Sequence, residues 1–226
     1  MAKRWAATMG DVRDWIRRKL AGAGYASGLQ SPSALAIART SFPDVRVSCV
    51  GLDTDQMFTR GDLEAVVSAD GATEFVVVVP TKIAHDAYER AEEIGICVAG
   101  FGELLHALQH DADISAHIDS QEKYERRRLR SNRHVVDVKR KGHHAYLVER
   151  QGRPPLTIAT SNKYEFTTDE FLTMLESFDG LKLDVAVVTN PNCQGISADS
   201  AQAAKNAGVP VVLFSDFLAN LGTKWP

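Results

Sequence analysis

The chain has 226 residues, 44% apolar and 24% charged, with a mean hydropathy of −0.18 and a formal net charge of −3. That is the composition of a soluble globular protein, and it excludes disordered and fibrous classes. The longest apolar run, Phe75 to Pro80, falls far short of the roughly 18 residues a membrane span needs. No secretory-type apolar stretch follows the early cations Lys3 and Arg4. The three separated cysteines (Cys49, Cys97, Cys193) form neither a disulfide framework nor a zinc knuckle, so a reducing cytoplasm and no membrane are expected.

In chain order, Val12, Trp15, Ile16 and Leu20 recur at helical spacing and predict a helix over 11–23, stopped by Gly24. Residues 33–39 and 44–50 read as short strands split by Phe42-Pro43, and 62–69 as a helix. The run EFVVVV at 74–79 is a buried strand, because it is too short for a helix and rich in Val. A helix over 83–95, a strand over 96–99 and a helix near 101–108 follow. The order then begins again. Helix is expected over 121–132, strands over 134–141, 144–150 and 156–160, and helix over 168–177. A strand at 184–189, a helix at 197–208, a strand at 209–214 and a closing turn of helix at 216–221 complete it.

Five strings match between the halves at an offset of 108–113. Trp15–Leu20 lies over Tyr124–Leu129, Ala34–Arg39 over Ala145–Arg150, and Phe58-Thr59-x-x-Asp62-Leu63 over Phe166-Thr167-x-x-Glu170-Phe171. Glu74–Val79 lies over Asp184–Thr189, and Gly95–Val98 over Gly208–Val211. Five matches in one order predict a duplication, with domains over 1–110 and 115–226 and a joint near 109–120. Each half reads α-β-β-β-α-β-α-β-α. The strand–helix–strand order requires parallel pairing with a right-handed crossover, and the short turns before it an antiparallel meander. The expected fold class is therefore α/β, two tandem units each with a mixed central sheet flanked by helices.

Charge is unevenly spread. Residues 123–153 hold eleven Lys/Arg against Glu125, Asp137 and Glu149, a balance of +8 on an acidic chain. A polyanion-binding face is one reading of this; a solvated helix and exposed hairpin is the plainer one.

The order of elements resembles the Mrr-type branch of the restriction-endonuclease-like (PD-(D/E)xK) superfamily. The likeness is strongest in FVVVVPTKIAHDAYERAEEIGICVAGFGELLHAL and VAVVTNPNCQGISADSAQAAKNAGVPVVLFSDFLANL. A Rossmann-like fold would share the Val-rich strand and crossover. The resemblance implies restriction-endonuclease-like domains with an Asp on the second strand and Glu/Gln-x-Lys on the third, holding Mg²⁺ and the attacking water. Here the corresponding strands offer Leu35, Ser48 and Val50 in the first half and Tyr146, Thr157 and Ala159 in the second. None is a carboxylate, so the expectation is a degenerate site with no metal and no cofactor.

Asp137-Val138-Lys139 has D-x-K spacing and, with Asp119 or Glu149, is the candidate for a displaced Mg²⁺ centre; an ordinary surface ion pair is the plainer reading. Asp53 and Asp55 lack the rest of a Ca²⁺ loop. His143 and His144, adjacent on a predicted strand, should point to opposite faces and not share a metal. Cys97 reads as core, and Cys193, with no neighbouring cation, as an exposed and unactivated thiol.

The leading expectation is a catalytically inactive tandem protein that binds nucleic acid, duplex DNA favoured, or a DNA-processing partner. Its contacts would be Arg126, Arg127, Arg128, Arg130, Arg133, Lys139, Arg140 and Lys141. Restriction, defence or repair are the settings the resemblance implies. The alternatives are an active metal-dependent endonuclease centred on Asp137 and Lys139, and a protein-interaction subunit or scaffold. Oligomeric state is not read from the sequence.

Overall fold

In the computed structural model, which describes residues 6–178 and 180–225, the chain divides into two units, Met1–Ile118 and Asp119–Pro226. The early cations Lys3 and Arg4 lie outside the described residues.

The first unit begins with α1 (Ala6–Gly22), whose Ile16 and Leu20 are buried with Val12 and Trp15 packed beside them. Gly24, at φ 86°, ends this segment by turning the chain, and the Tyr25 N–H closes on the Leu20 carbonyl at 2.9 Å. Strands β1 (Ser27–Leu29), β2 (Ala34–Ile37) and β3 (Val45–Gly51) pair antiparallel in sequence. After α2 (Arg60–Ala69), β4 (Phe75–Val79) joins β3 in parallel. After α3 (His85–Ile94), β5 (Cys97–Ala99) joins β4 in parallel, and α4 (Phe101–His110) follows. The sheet order is β1-β2-β3-β4-β5. Residues alternate along β4, so Phe75 and Val77 face the α1 and α4 side while Val76 and Val78 face α2 and α3. Both faces are covered, which is why this strand is apolar throughout.

The second unit repeats the plan. Helix α5 (Ser120–Arg130) precedes the antiparallel strands β6 (Val135–Gly142), β7 (Ala145–Arg150) and β8 (Arg153–Ser161). Then come α6 (Thr168–Ser177), β9 (Val185–Val188), α7 (Ala198–Ala207), β10 (Val211–Leu213) and α8 (Phe214–Ala219). Strand β9 pairs parallel with both β8 and β10, giving the order β10-β9-β8-β7-β6. The expected class, α/β with two tandem units each holding a mixed central sheet flanked by helices, is the observed one; among the described residues each sheet has five strands and the helices number eight.

The matched strings are matched devices. Thr59 caps α2 in a reciprocal box with Asp62, and Thr167 caps α6 on the Glu170 N–H. The preceding Phe58 and Phe166 are buried and bridge to Ile83 and Ile196. Gly95 and Gly208 end α3 and α7 at φ 72° and 68°, a backbone state that glycine adopts without strain. Arg39 and Arg150 are both buried and clamp carbonyls: Pro43, Asp111 and Ala112 in one unit, Pro154, Leu221 and Thr223 in the other. The order α-β-β-β calls for a strand ahead of 33–39 that no residues announce: Ser27-Gly28-Leu29 is short, exposed at the sheet edge and carries no alternating apolar pattern.

Candidate nucleic-acid interface and the polar cluster beneath it

An ordinary amphipathic helix turns its apolar stripe inward. Helix α5 does otherwise. Its buried positions, 122, 125, 126 and 129, fall at the i, i+3, i+4, i+7 spacing of one face, and they are Glu, Glu, Arg and Leu. Asp119 starts the helix by accepting the N–H groups of Gln121 and Glu122 at 2.8 and 3.1 Å.

Both glutamate side chains are 0% exposed, so their charges need partners inside the protein. Glu122 has the Arg140 guanidinium at 2.8 Å, the His143 ring at 3.1 Å and the His144 backbone N–H at 2.7 Å. Burial alone would raise its pKa; the His143 hydrogen bond and the Arg140 charge outweigh that and hold it at about 2. Glu125 accepts from Thr160 at 2.7 Å, Tyr146 at 2.9 Å, Gln121 at 2.9 Å, Thr189 at 3.1 Å and the His144 ring at 3.2 Å. Those donors fill the lone-pair sites of a carboxylate. Against the opposing push of burial they keep its pKa below the usual value. His144 is shifted up, since the Glu125 hydrogen bond and charge exceed the effect of its own burial. The Tyr146 hydroxyl is also shifted up, first by burial and then by the two neighbouring carboxylates, so it stays a neutral donor.

The cluster depends on the turn between β6 and β7. Gly142 pairs with Ala145, leaving His143 and His144 as a two-residue loop, and His144 takes φ 56°. A left-handed backbone is unusual for a residue with a side chain, though histidine tolerates it better than most. Here it aims both the N–H and the ring of His144 at α5, and its carbonyl accepts the Thr160 N–H at 2.7 Å. The expectation that His143 and His144 point to opposite faces is therefore corrected. They lie in the turn rather than on a strand, their ring centroids are 4.2 Å apart, and each meets a glutamate of the same helix.

The predicted contact residues divide into two groups. Arg127, Arg128, Arg130 and Arg133 are exposed, with Lys123 beside them; Arg130 also donates to the Val138 carbonyl at 3.0 Å. Lys139 is exposed and paired with Glu149 at 2.6 Å, which raises its pKa. Lys141 is half-buried. Arg126 is buried, and Arg140, 11% exposed, is committed to Glu122. Asp137 accepts the N–H of Val138 at 2.7 Å and sits opposite Glu149 across the hairpin. Asp137, Lys139 and Glu149 thus form an outward strand pair. Among the described residues, the groups of metal-ligating side chains do not include Asp137, Glu149 or Asp119; the one that forms is His106, Asp111 and His117. Cys97 is buried as expected, and Cys193 is partly covered.

Sequence reasoning looked for carboxylates on the strands and missed those on the helix. Glu122 and Glu125 share a helical face with the buried Leu129, but charge at those positions reads by default as solvent-facing. No family model, curated protein or solved structure matches the chain.

Proposed function

We propose that this protein binds duplex nucleic acid, DNA favoured, through the outward face of α5 and the adjoining β6–β7 hairpin, without cleaving it. The observation that carries the reading is the separation of charge on one helix. The acids Glu122 and Glu125 face inward and are neutralised there, while Lys123, Arg127, Arg128 and Arg130 face solvent, with Arg133 just beyond the helix. A mixed-charge helix becomes an almost wholly cationic surface. Arginine suits phosphate because its planar fork donates two parallel hydrogen bonds. Such contacts position the protein on a duplex without reading its sequence.

The reading takes each unit as a restriction-endonuclease-like fold that has lost its metal-binding carboxylates. The antiparallel meander followed by parallel crossovers supports that ancestry. The commitment of Glu125 to five donors supports the absence of cleavage, since no lone pair is left over for a cation.

The test is fluorescence anisotropy of a labelled duplex over a salt series. Binding should weaken steeply with salt. Each phosphate contact removed by Arg127→Glu, Arg128→Glu or Arg130→Glu should flatten the log K against log salt slope by about 0.9. The matched change on α1, Arg18→Glu with Lys19→Glu, should act less, because Arg13 there is engaged with the Pro32 carbonyl and Arg17 with Asp14. Unchanged slopes in the α5 variants would move the site elsewhere. Absence of affinity at low salt would favour a protein partner, and Mg²⁺-dependent nicking abolished by Asp137→Ala would favour the nuclease.

A further inference from the structure

We propose that His106, Asp111 and His117, at the C-terminal end of the first unit, form a binding site for a divalent transition-metal ion of the zinc class. This stands apart from the nucleic-acid reading, which concerns other residues.

Helix α4 supplies His106 near its end and Asp111 as its C-cap. The chain then turns back: Ser115 donates its N–H and hydroxyl to Asp113, and the buried Ile114 anchors the loop in the α1–α4 core. That return brings His117 against α4, its side chain only 3% exposed. The ligating atoms of His106, Asp111 and His117 all lie within 4.8 Å of one another. Ligands of a tetrahedral zinc ion, each at about 2.0–2.1 Å, stand about 3.3 Å apart. Asp111 and His117, now 2.6 Å apart, part slightly to admit the ion, and the exposed His106, its ring beside those of His110 and His117, swings in as the third ligand.

The other two ligands are held in place. Arg39 clamps the carbonyls of Asp111 and Ala112 at 2.7 and 2.8 Å, fixing the backbone that carries the carboxylate. His117 lies between two carboxylates, Asp111 at 2.6 Å from Nδ1 and Glu103 at 2.9 Å from Nε2. When an ion binds, a bond from Nδ1 to the metal replaces the Nδ1–Asp111 hydrogen bond, and the shared proton leaves to solvent. The freed Asp111 carboxylate becomes a ligand while Nε2 stays on Glu103, the arrangement that orients metal-bound imidazoles generally. Two imidazoles with a carboxylate select zinc-like ions over Mg²⁺ or Ca²⁺, which require mostly oxygen. Three protein ligands leave a position open to water, and the 34% exposure of Asp111 and 38% of Glu103 provides the route in. The second unit has the matching clamp, Arg150, yet the segment it holds, Leu221 to Thr223, carries no ligating side chain.

The experiment uses the untagged full chain stripped of metal by a chelator. Zinc is titrated calorimetrically, and Co²⁺ is added as a spectroscopic probe. One equivalent of Zn²⁺ should bind, and Co²⁺ should give visible ligand-field bands that Zn²⁺ displaces. His106→Ala and Asp111→Asn should each weaken binding by more than about tenfold, while His85→Ala, at the start of α3, should leave it unchanged. His117 is avoided because its loss risks unfolding the loop. Absence of binding, or binding that both variants leave intact, would overturn the site and leave His117 as a strut between two carboxylates.

Discussion

The two units place opposite chemistry on one scaffold. Leu35 faces Val47 across the first sheet as Tyr146 faces Ile158 across the second, and Cys49 stands beside Val77 as Thr160 stands beside Val187. In that shared register Ile16, Leu35, Cys49 and Val79 of the first unit correspond to Glu125, Tyr146, Thr160 and Thr189 of the second. The first set packs as hydrocarbon and thiol, and burial pushes the Cys49 thiol up to about 12, leaving it inert. The second is a hydrogen-bonded carboxylate with its donors. Replacing a buried ionic network by well-packed apolar residues of equal volume is often neutral or even stabilising, so stability is not what the network gains. The gain lies in surface charge: α5 can hide its acids and show its arginines, whereas on α1 the acid Asp14 is exposed beside Arg17.

The sharpest way to break this comparison is to put the polar residue where its donors are missing. Ile16→Glu buries a carboxylate among Leu35, Cys49 and Val77, and should cost roughly 5 kcal/mol or more. Hydrogen exchange should show protection lost across strands β2 to β4. Retained protection would mean that position 16 is not the counterpart of 125. The reverse exchange comes next in size. Glu125→Ala removes the acceptor of Tyr146 and the counter-charge of His144, and leaves Thr160 and Thr189 only the His144 and Ser161 carbonyls at 3.2 and 3.3 Å. It should cost about 3–5 kcal/mol in urea unfolding. Carrying all four first-unit residues across, Glu125→Ile with Tyr146→Leu, Thr160→Cys and Thr189→Val, should recover more than half of that loss. Simple additivity of the four single changes would show that the residues do not act as one network.

The scaffold was legible in the sequence because its signals are local: helical spacing at 12-15-16-20, the capping Thr59 and Thr167, the glycines at 95 and 208, and the all-Val strand. The repeated plan was legible because those signals recur in order. The cluster was not. Nothing in the string QEKYERRRLR says that Glu122 and Glu125 turn inward, because isolated charged residues usually face water. The left-handed turn at His144, which no alternation pattern announces, adds the two imidazoles and a backbone N–H to the strand donors that meet them. The same limit explains Arg126, Arg140 and Arg150, counted in the sequence as surface charge and found within the protein. His106, Asp111 and His117 meet through a loop return that no local spacing announces.

The smallest effect expected is one of pH, and it too separates the units. His144 is raised above its ordinary 6.5, so the stability it lends is complete below that value and is lost as pH rises through the shifted one. Glu122 and Glu125 are lowered from 4.5, so theirs is present above that value and fades as pH falls toward the shifted ones, about 2 for Glu122. The α5 side of the second sheet should therefore be strongest between about 4.5 and 6.5. The facing positions Ile16, Leu35 and Val79 of the first unit do not titrate, and Cys49 remains a thiol to about 12. Between about pH 5.5 and 8.5, amide exchange corrected for intrinsic rate should then show β7 and β8 losing protection relative to β2 and β3. His144→Ala should lower protection at the acidic end and flatten the decline. A decline of equal steepness in that variant would assign the pH response to another group and leave His144 as a shape-maker of the turn alone.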